Sequence, residues 1–239
     1  MIIKPVKTRI FLEGENLLNF ILEHIKKIPE KSVLAVTSKI AALSEGRTAL
    51  VKDEKEKERL IRAESQFAMR TKYVWLTIRD NLVMASAGID ESNGNGKLIL
   101  LPQNSFALAE KIRKTLMKKF LLKNFAVIIT DSRLIPLRHG TVGVTIGYAG
   151  LRGLKSYKGK PDIFGRTFRH QRVDAVDSLA TAAVLTMGEG NEQIPLALIE
   201  KVPVEFVEKT DKRELEIDVQ NDLYLPLFEK IKKVKIRKG

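Results

Sequence analysis

Residues 125–130 have the sequence FAVIIT, and Asp131 follows them directly. A short run of apolar, mostly β-branched residues predicts a buried β-strand, which we expect to end at Asp131. Ligands gather at the carboxyl ends of strands in α/β sheets, so a carboxylate at this point suits a metal-binding or catalytic role. Aspartate also caps turns, and this segment alone leaves both interpretations equally open.

The rest of the chain predicts a mixture of helices and strands. Apolar spacing predicts helices over residues 15–28, 54–69, 106–122, 173–187 and 222–233. Further strands are predicted over residues 33–37, 73–79, 82–85, 142–148 and 195–199, with a turn at Ser38-Lys39 and a long loop over 149–171 that leaves room for a short hairpin. Since these elements do not alternate regularly, we predict a mixed α/β (α+β) fold. It forms one domain over residues 1–239, with room for two subdomains.

Composition excludes several classes of protein. The 239 residues carry 44% hydrophobic and 30% charged side chains, as a folded globular protein does, and no apolar run reaches the roughly 20 residues that a membrane helix needs. The absence of cysteine excludes disulfides and thiolate metal sites. The start of the chain does not resemble a signal peptide, so we expect a cytoplasmic protein without a membrane partner.

The net charge of +13 suits anionic partners, either nucleic acid or small phosphorylated molecules. Basic residues concentrate at 111–123, where apolar residues at helical spacing indicate the solvated face of an amphipathic helix, and at 230–238. Aromatic residues, 6% of the chain, do not interleave with them as a base-stacking surface requires, so we do not expect nucleic acid as the partner.

Two polar, glycine-containing segments are candidate ligand sites. Arg138 precedes a glycine-rich strand, where the backbone could approach a phosphate that the guanidinium neutralises; close strand packing is the alternative. Asp90, Ser92 and Asn93 form a turn-like cluster that could bind an amino-acid ammonium or a phosphate. The Asn93-Gly94 pair is also simply a favoured turn.

Two more groups are candidate metal or phosphate ligands. Asp162 and Arg166 lie in the long loop, where an Asp–Arg structural pair is the alternative. Asp174 and Asp177, followed by Ser178, share a face at the start of a predicted helix and invite a divalent cation, although aspartate is also a plain choice for capping. The sequence lacks GxxxxGKS/T and GxGxxG motifs and zinc-type histidine spacing, which excludes a P-loop, a Rossmann site and a histidine-based zinc site.

The order of these motifs resembles one family from about residue 10 to about residue 200. The motifs are Ser38-Lys39, Glu45-Gly46-Arg47, AGIDESN (87–93), LLP (100–102), ITD (129–131), GTVGVTIG (140–147), AGL (149–151), DIFGR (162–166), VDAVDSLA (173–180) and MGEG (187–190). Together they are similar to the coenzyme F-420:L-glutamate ligases, or gamma-glutamyl ligases.

The resemblance implies a homodimer that couples GTP hydrolysis to an amide bond between a substrate carboxylate and L-glutamate, with Mg²⁺ or Mn²⁺. The carboxylate is activated as an acyl phosphate, and the amine then displaces phosphate. By position, Thr8, Arg9, Ile10, Phe11, Ser38 and Lys39 would bind the nucleotide, and Asp131 and the Asp177-Ser178 pair the metal, with Asp162 as a further metal candidate. We assign Asp131, Lys39 and Arg138 to catalysis, and Asp90, Ser92, Asn93 and Arg166 to the substrate.

Departures from the family pattern leave the substrates open. Leu43 stands where the family often has lysine, and residues 202–209, which alternate apolar and polar like a strand, replace an expected glycine-rich nucleotide loop. The nucleotide is therefore GTP or ATP, and the acceptor the deazaflavin or a folate-like molecule. The alternative is a catalytically silent relative that binds a phosphorylated ligand or nucleic acid through its basic surface.

Overall fold

The computed structural model describes residues 1–226. The β-strands are β1 (Ile2–Val6), β2 (Ser32–Thr37), β3 (Thr48–Ala49), β4 (Phe67–Arg70), β5 (Trp75–Arg79), β6 (Leu82–Ala85), β7 (Leu98–Ile99), β8 (Phe125–Leu134), β9 (Thr141–Ala149), β10 (Leu154–Ser156), β11 (Arg172–Asp174) and β12 (Leu196–Glu200). The α-helices are α1 (Leu17–His24), α2 (Ser38–Ser44), α3 (Glu54–Ala63), α4 (Ser105–Phe120) and α5 (Ala175–Met187).

A five-stranded sheet in the order β1-β12-β2-β8-β9 is the centre of the fold. β2 and β8 run parallel, and the other neighbouring pairs are antiparallel. The central strands are apolar throughout because helices cover both faces of the sheet. The predicted mixed α/β fold is confirmed.

Alternation along β2 assigns its residues to the two faces. Leu34 and Val36 belong to a core with α1 and α4, whereas Val33 and Ala35 belong to a second core with α5. The sheet therefore lies between two helical layers, which bury its central strands on both faces.

The chain between β3 and β7 forms smaller units beside this sheet. β4, β5 and β6 make a three-stranded antiparallel sheet, and β3 pairs with β7. The long loop after β9 contains the short hairpin for which the sequence left room, between β10 and β11. The division of residues 1–239 into one domain with two subdomains stays a prediction.

The strand predicted over residues 125–130 is correct at its start and wrong at its end. β8 continues through Asp131 to Leu134, because residues 131–134 pair with residues 141–144 of β9 after a bulge at Ile129/Thr130. Asp131 therefore lies within a strand beyond a bulge, and it does not cap a turn.

Two other local predictions are wrong because tertiary packing overrides local preference. Ser38-Lys39 begins helix α2 instead of forming a turn, since the apolar residues that follow it pack in the core. The helix predicted over 54–69 ends at Ala63, and residues 67–70 become β4 because they pair with β5.

The remaining boundaries shift, and two segments differ in type from the prediction. The helix predicted over 15–28 covers only Leu17–His24, although Ile25 and Ile28 are still buried. The first two residues of the helix predicted over 173–187 belong instead to β11, which spans residues 172–174. Residues 202–209 do not form the expected strand and make only one isolated bridge, between Phe206 and Leu151.

The predicted carboxyl-terminal helix and the basic segment after it lie mostly beyond residue 226, where the described part of the chain ends. Residues 222–226 are not α-helical; the rest of the helix predicted over 222–233 and the basic segment 230–238 lie outside the described residues. Within residues 1–226, no helix is long and apolar enough to cross a membrane.

Candidate active site

Ser38 and Asp131 meet at the carboxyl end of the parallel strand pair. β2 and β8 are in register, with Thr37 opposite Thr130, so the next residue on each strand emerges at the same edge of the sheet. The Ser38 hydroxyl donates a 3.0 Å hydrogen bond to Oδ1 of Asp131. Two residues to which the resemblance assigns the nucleotide and the metal, respectively, are thus in direct contact.

Lys39 joins the polar cluster of residues 90–93 to this edge. Its Nζ lies 2.8 Å from Oδ2 of Asp90 and donates a 2.7 Å hydrogen bond to the Ser92 hydroxyl. Desolvation would raise the pKa of Asp90, but the hydrogen bonds from Lys39 and from the backbone N–H of Ser92 outweigh it and lower that pKa. Asp90 is therefore ionised at neutral pH. Asn93, also predicted to bind substrate, donates a long bond of 3.4 Å to the carbonyl oxygen of Gly190.

The pKa of Asp131 is shifted in the opposite direction from that of Asp90. Desolvation raises its pKa, and the opposing effects of the Ser38 hydrogen bond and the Arg133 charge do not fully offset that rise. The nearby Asp90 charge raises the pKa further. A carboxylate held in this way gains from any added positive charge, so the position favours a cationic ligand.

Asp177 approaches the same part of the sheet from helix α5. The backbone N–H of Thr145 in β9 donates a 2.7 Å hydrogen bond to its Oδ1, and Thr145 pairs with Thr130, the neighbour of Asp131. Desolvation raises the pKa of Asp177 despite this bond and the charge of Arg133.

Asp174 fulfils the alternative assigned to it, since it caps α5 by accepting a 3.0 Å hydrogen bond from the N–H of Asp177. Burial, with the Asp177 charge, raises the pKa of Asp174 to about 6. Ser178 also acts within the helix: its hydroxyl donates to the carbonyl oxygen of Asp174 at 2.5 Å.

Other predicted residues lie away from these contacts. Arg138 is exposed in the turn between β8 and β9. Asp162 closes its own loop, because its Oδ1 accepts hydrogen bonds from the backbone N–H groups of Phe164, at 2.8 Å, and Arg166, at 2.9 Å. The Arg166 side chain is exposed. The alternative of an Asp–Arg structural pair therefore takes the form of a hydrogen bond from the Arg166 backbone to the Asp162 side chain.

A residue that sequence reasoning missed is Arg133. It follows Asp131 by two positions in β8, so the two side chains leave the same face of the strand. Its Nε and Nη2 are enclosed by protein and have no hydrogen-bond partner within residues 1–226. The sequence offered one sign, a basic residue two positions after the ITD motif.

Comparison with known proteins shows the family to which the chain belongs. The model of the F420-0:Gamma-glutamyl ligase family matches residues 5–201. The chain belongs to this family. It is 34% identical over 221 residues to the coenzyme F420:L-glutamate ligase of Methanococcus maripaludis strain C7, covering 82% of this chain and 88% of that protein. To proteins of the same name it is 31% identical over 204 residues in Methanopyrus kandleri (77% and 80% covered) and 41% over 128 residues in Methanocaldococcus jannaschii (54% and 51%).

In this member of the family the predicted nucleotide-binding residues 8–11 lie in the first loop, after β1. Thr8 is buried, and its N–H donates to the carbonyl oxygen of Gln193 at 2.9 Å. Phe11 packs edge-on against Phe20, whereas Arg9 and Ile10 are exposed. Arg9 pairs with two glutamates, so this loop is held by its own ion pairs.

The expected divalent cation fits only part of the predicted ligand set. Among residues 1–226 no group of three His, Cys, Asp or Glu side chains could hold a metal. Asp131 and Asp177 each have an oxygen that the contacts above leave free, and Mg²⁺ characteristically takes one or two carboxylates and completes its shell with water and substrate phosphates. Within residues 1–226 the predicted ligands Asp131, Asp162 and Asp177 do not form such a group, and the divalent cation stays a prediction.

Proposed function

We propose that this chain is a nucleotide-dependent ligase that adds L-glutamate to a carboxylate of the deazaflavin coenzyme F-420 or of a folate-like acceptor. The observation that carries the proposal is the contact of Ser38 with Asp131 beside the Lys39–Asp90 ion pair, in a chain of the gamma-glutamyl ligase family. Two acids of opposite pKa shift and a fixed ammonium group lie at one edge of the sheet.

The proposed reaction has two steps. A carboxylate oxygen of the acceptor attacks the terminal phosphorus of GTP or ATP, and the bond to the nucleoside diphosphate breaks. The amine of glutamate then attacks the acyl carbon, phosphate leaves with the bonding electrons, and the amine loses a proton. The chain itself must therefore bind several anionic groups and one ammonium group close together.

Lys39 and Asp90 suit these two demands. Lys39 is held by Asp90 and Ser92, so its charge has a defined place from which it can attract a phosphate or carboxylate oxygen. Asp90, kept ionised by its hydrogen bonds, can bind the ammonium group of glutamate. Arg138 and Arg166, both exposed, are proposed to meet the substrates from the surrounding loops.

Asp131 and Asp177 would hold Mg²⁺ or Mn²⁺, which would supply neutralisation of phosphate charge when bound. Ser38 orients Asp131 through its hydrogen bond, and the Thr145 N–H orients Asp177. Residues 8–11 and 38–39 are proposed to contact the nucleotide. A homodimer and a cytoplasmic location remain predictions; light scattering after size-exclusion chromatography tests the first.

The proposal is tested by measuring phosphate release from GTP and from ATP with L-glutamate and a panel of acceptors. Mass spectrometry should detect a glutamyl residue on the acceptor used, and release should require acceptor, glutamate and divalent cation together. Lys39→Met should reduce both signals, whereas Lys55→Met, a charge removed from the exposed side of α3, should not. Absence of release with every acceptor would favour the silent, ligand-binding alternative.

A further inference from the structure

The loop of residues 188–195 that follows α5 has a tightly defined backbone. Gly188 ends the helix with a φ of +83°, and a Cβ at this position would lie 2.4 Å from the carboxyl carbon of Glu192. The carboxylate of Glu192 also accepts a 2.8 Å hydrogen bond from the N–H of Gly190. Only glycine permits so close an approach at a positive φ, so the loop holds the intervening Glu189 in one exposed position.

Glu189 contacts the end of β8 next to Asp131. Its Oε1 accepts a hydrogen bond from the hydroxyl of Ser132, which follows Asp131 in the strand. β2 ends opposite Thr130, so within residues 1–226 β8 pairs with β9 alone beyond that residue. Successive residues of a strand point to opposite faces of the sheet, and a ligand along this unpaired side of β8 can reach side chains of both faces.

The polar cluster that contains Asp90 and Asn93 links the two faces. At one end Asp90 pairs with Lys39, the second residue of α2. At the other end the side-chain amide of Asn93 donates a 3.4 Å hydrogen bond to the carbonyl oxygen of Gly190, directly after Glu189. These contacts connect Glu189, which follows the helix on one face of the sheet, with the ammonium group of Lys39 in the layer on the other face.

The carboxylate of Glu189 keeps one oxygen free for a ligand. Within residues 1–226 it makes no ion pair, and its one hydrogen bond is the bond from Ser132 to Oε1. Asp90, by contrast, is occupied by Lys39 at 2.8 Å and by the N–H of Ser92 at 2.7 Å. Of these two carboxylates, Glu189 is therefore the one whose free oxygen is available to accept a proton.

Formation of the amide releases a proton from the amine nitrogen of glutamate. As that nitrogen bonds to the acyl carbon it becomes acidic, and phosphate leaves with the electrons of the broken C–O bond. We propose that Glu189 is a catalytic residue of this second step: its carboxylate takes the proton from the attacking nitrogen and, being exposed, returns it to solvent. The proposal rests on the proposed ligase function and names the base that its second step uses.

The test separates the two steps with hydroxylamine, which attacks acyl phosphates without a catalyst and traps them as hydroxamates. Glu189→Gln should lower kcat for ligation of L-glutamate by about 100-fold or more, as the loss of a general base does. Its formation of hydroxamate from acceptor, nucleotide and hydroxylamine should match that of the wild type, because the first step needs no base. Glu216→Gln, which neutralises an exposed carboxylate elsewhere on the chain, is the matched control and should change neither reaction.

Glu189→Asp distinguishes a base from a structural role. It keeps a carboxylate but shortens the side chain, so it should ligate glutamate faster than Glu189→Gln does. If Glu189 only held its loop through the bond from Ser132, the order would be reversed, because glutamine keeps an oxygen where Ser132 donates and aspartate does not. Ser132→Ala, which removes only that donor, should lower ligation less than Glu189→Gln and leave hydroxamate formation intact.

Equal losses of ligation and of hydroxamate formation in Glu189→Gln, or a higher KM for glutamate with kcat intact, would each overturn the base role. Failure of the proposed function is a different result, which the wild type alone decides. A wild type that forms neither hydroxamate nor glutamyl product with any acceptor refutes the ligase activity and the base role with it. A wild type that forms both, beside a Glu189→Gln variant with unchanged ligation, refutes the base role alone.

Discussion

The hydroxyl of Ser38 donates a 3.0 Å hydrogen bond to Oδ1 of Asp131, although 93 positions separate the two residues in sequence. The contact exists because β2 and β8 are parallel neighbours in register, so Ser38, where β2 gives way to α2, lies beside Asp131, where β8 continues. It directs one oxygen of Asp131 and leaves the other free for a ligand. A substitution at Asp131 can therefore distinguish a role in ligand binding from a role in the stability of the fold.

Asp131→Asn should reduce ligation by at least about 100-fold while changing stability by less than about 0.5 kcal/mol. The amide oxygen can still accept from Ser38, and the substitution removes a charge that desolvation disfavours. Mass spectrometry of the product measures the loss of ligation, and urea unfolding without metal measures the change in stability. Ser38→Ala, which removes only the donor, is the control and should cost activity less. Strong destabilisation with intact activity would instead assign Asp131 a structural role.

Asp174 should make stability depend on pH in a defined window. Its pKa of about 6 when folded exceeds the ordinary value of 3.8, so between these values the folded protein binds more protons than the unfolded chain. The free energy of unfolding therefore falls as pH rises from about 4 to about 6, and this contribution is constant above that window.

Asp174→Asn keeps a residue that caps helices well and removes the titration. The variant should be more stable than the wild type at neutral pH, by about 1 kcal/mol after allowing for solvent screening of a partly exposed group. Urea unfolding of both proteins between about pH 4 and pH 7 measures the free energy of unfolding and its dependence on pH. In Asp174→Asn the free energy of unfolding should still fall somewhat as pH rises, because the pKa values of Asp131 and Asp177 are raised too. Equal slopes in both proteins would show that Asp174 does not titrate there.

Nucleotide affinity should be weak, strongly dependent on metal and nearly equal for GTP and ATP. The segment 202–209 lacks glycine, and several of its backbone groups are occupied within the protein. The N–H of Val207, a donor of the kind that binds phosphate, already donates to the carbonyl oxygen of Gly150 at 3.0 Å, while Arg113 fixes the segment by donating to the carbonyl oxygens of Val207 and Glu208. Phosphates must then rely on side chains such as Lys39 and on metal, which are screened by salt and distinguish bases poorly.

Calorimetric titration with both nucleotides, with and without Mg²⁺ or Mn²⁺, tests this expectation. Affinity should also fall as salt is added, because charged side chains carry the interaction. Tight, GTP-selective binding in the absence of metal would contradict it.

Gly150→Ala should destabilise the protein far more than Gly159→Ala does. Both glycines have positive φ, +91° and +81°, so each variant bears the backbone strain of about 1–2 kcal/mol. A Cβ at position 150 would also come within 2.3 Å of Nε of Arg113 and 2.4 Å of the carbonyl oxygen of Phe125, whereas one at 159 meets nothing within 4 Å. Arg113 donates to that carbonyl oxygen at 2.9 Å.

The steric conflict adds roughly 1–3 kcal/mol to the strain at position 150. Chemical unfolding of the two variants beside the wild type gives the comparison directly. Equal losses of stability would mean that Arg113 moves aside without cost.

The local sequence was sufficient for the elements that are buried and strongly periodic. FAVIIT predicted the start of β8, residues 82–85 matched β6, and the alanine-rich segment became α5, since burial and periodicity there agree with the final environment. Asp174 as a helix cap follows equally from local chemistry. The motif order was enough to identify the family, because several modest motifs in register are specific together.

Tertiary structure alone decided the ends of elements and the composition of the site. β8 passes Asp131 because β9 extends the pairing, and residues 67–70 are a strand because β5 offers partners, which no local preference reveals. Folding encloses Nε and Nη2 of Arg133 without a hydrogen-bond partner among residues 1–226, which the local sequence does not reveal. The sequence determined which side chains are available for chemistry; strand register and burial decided which of them meet, because contacts and desolvation depend on distances that the order of residues does not contain.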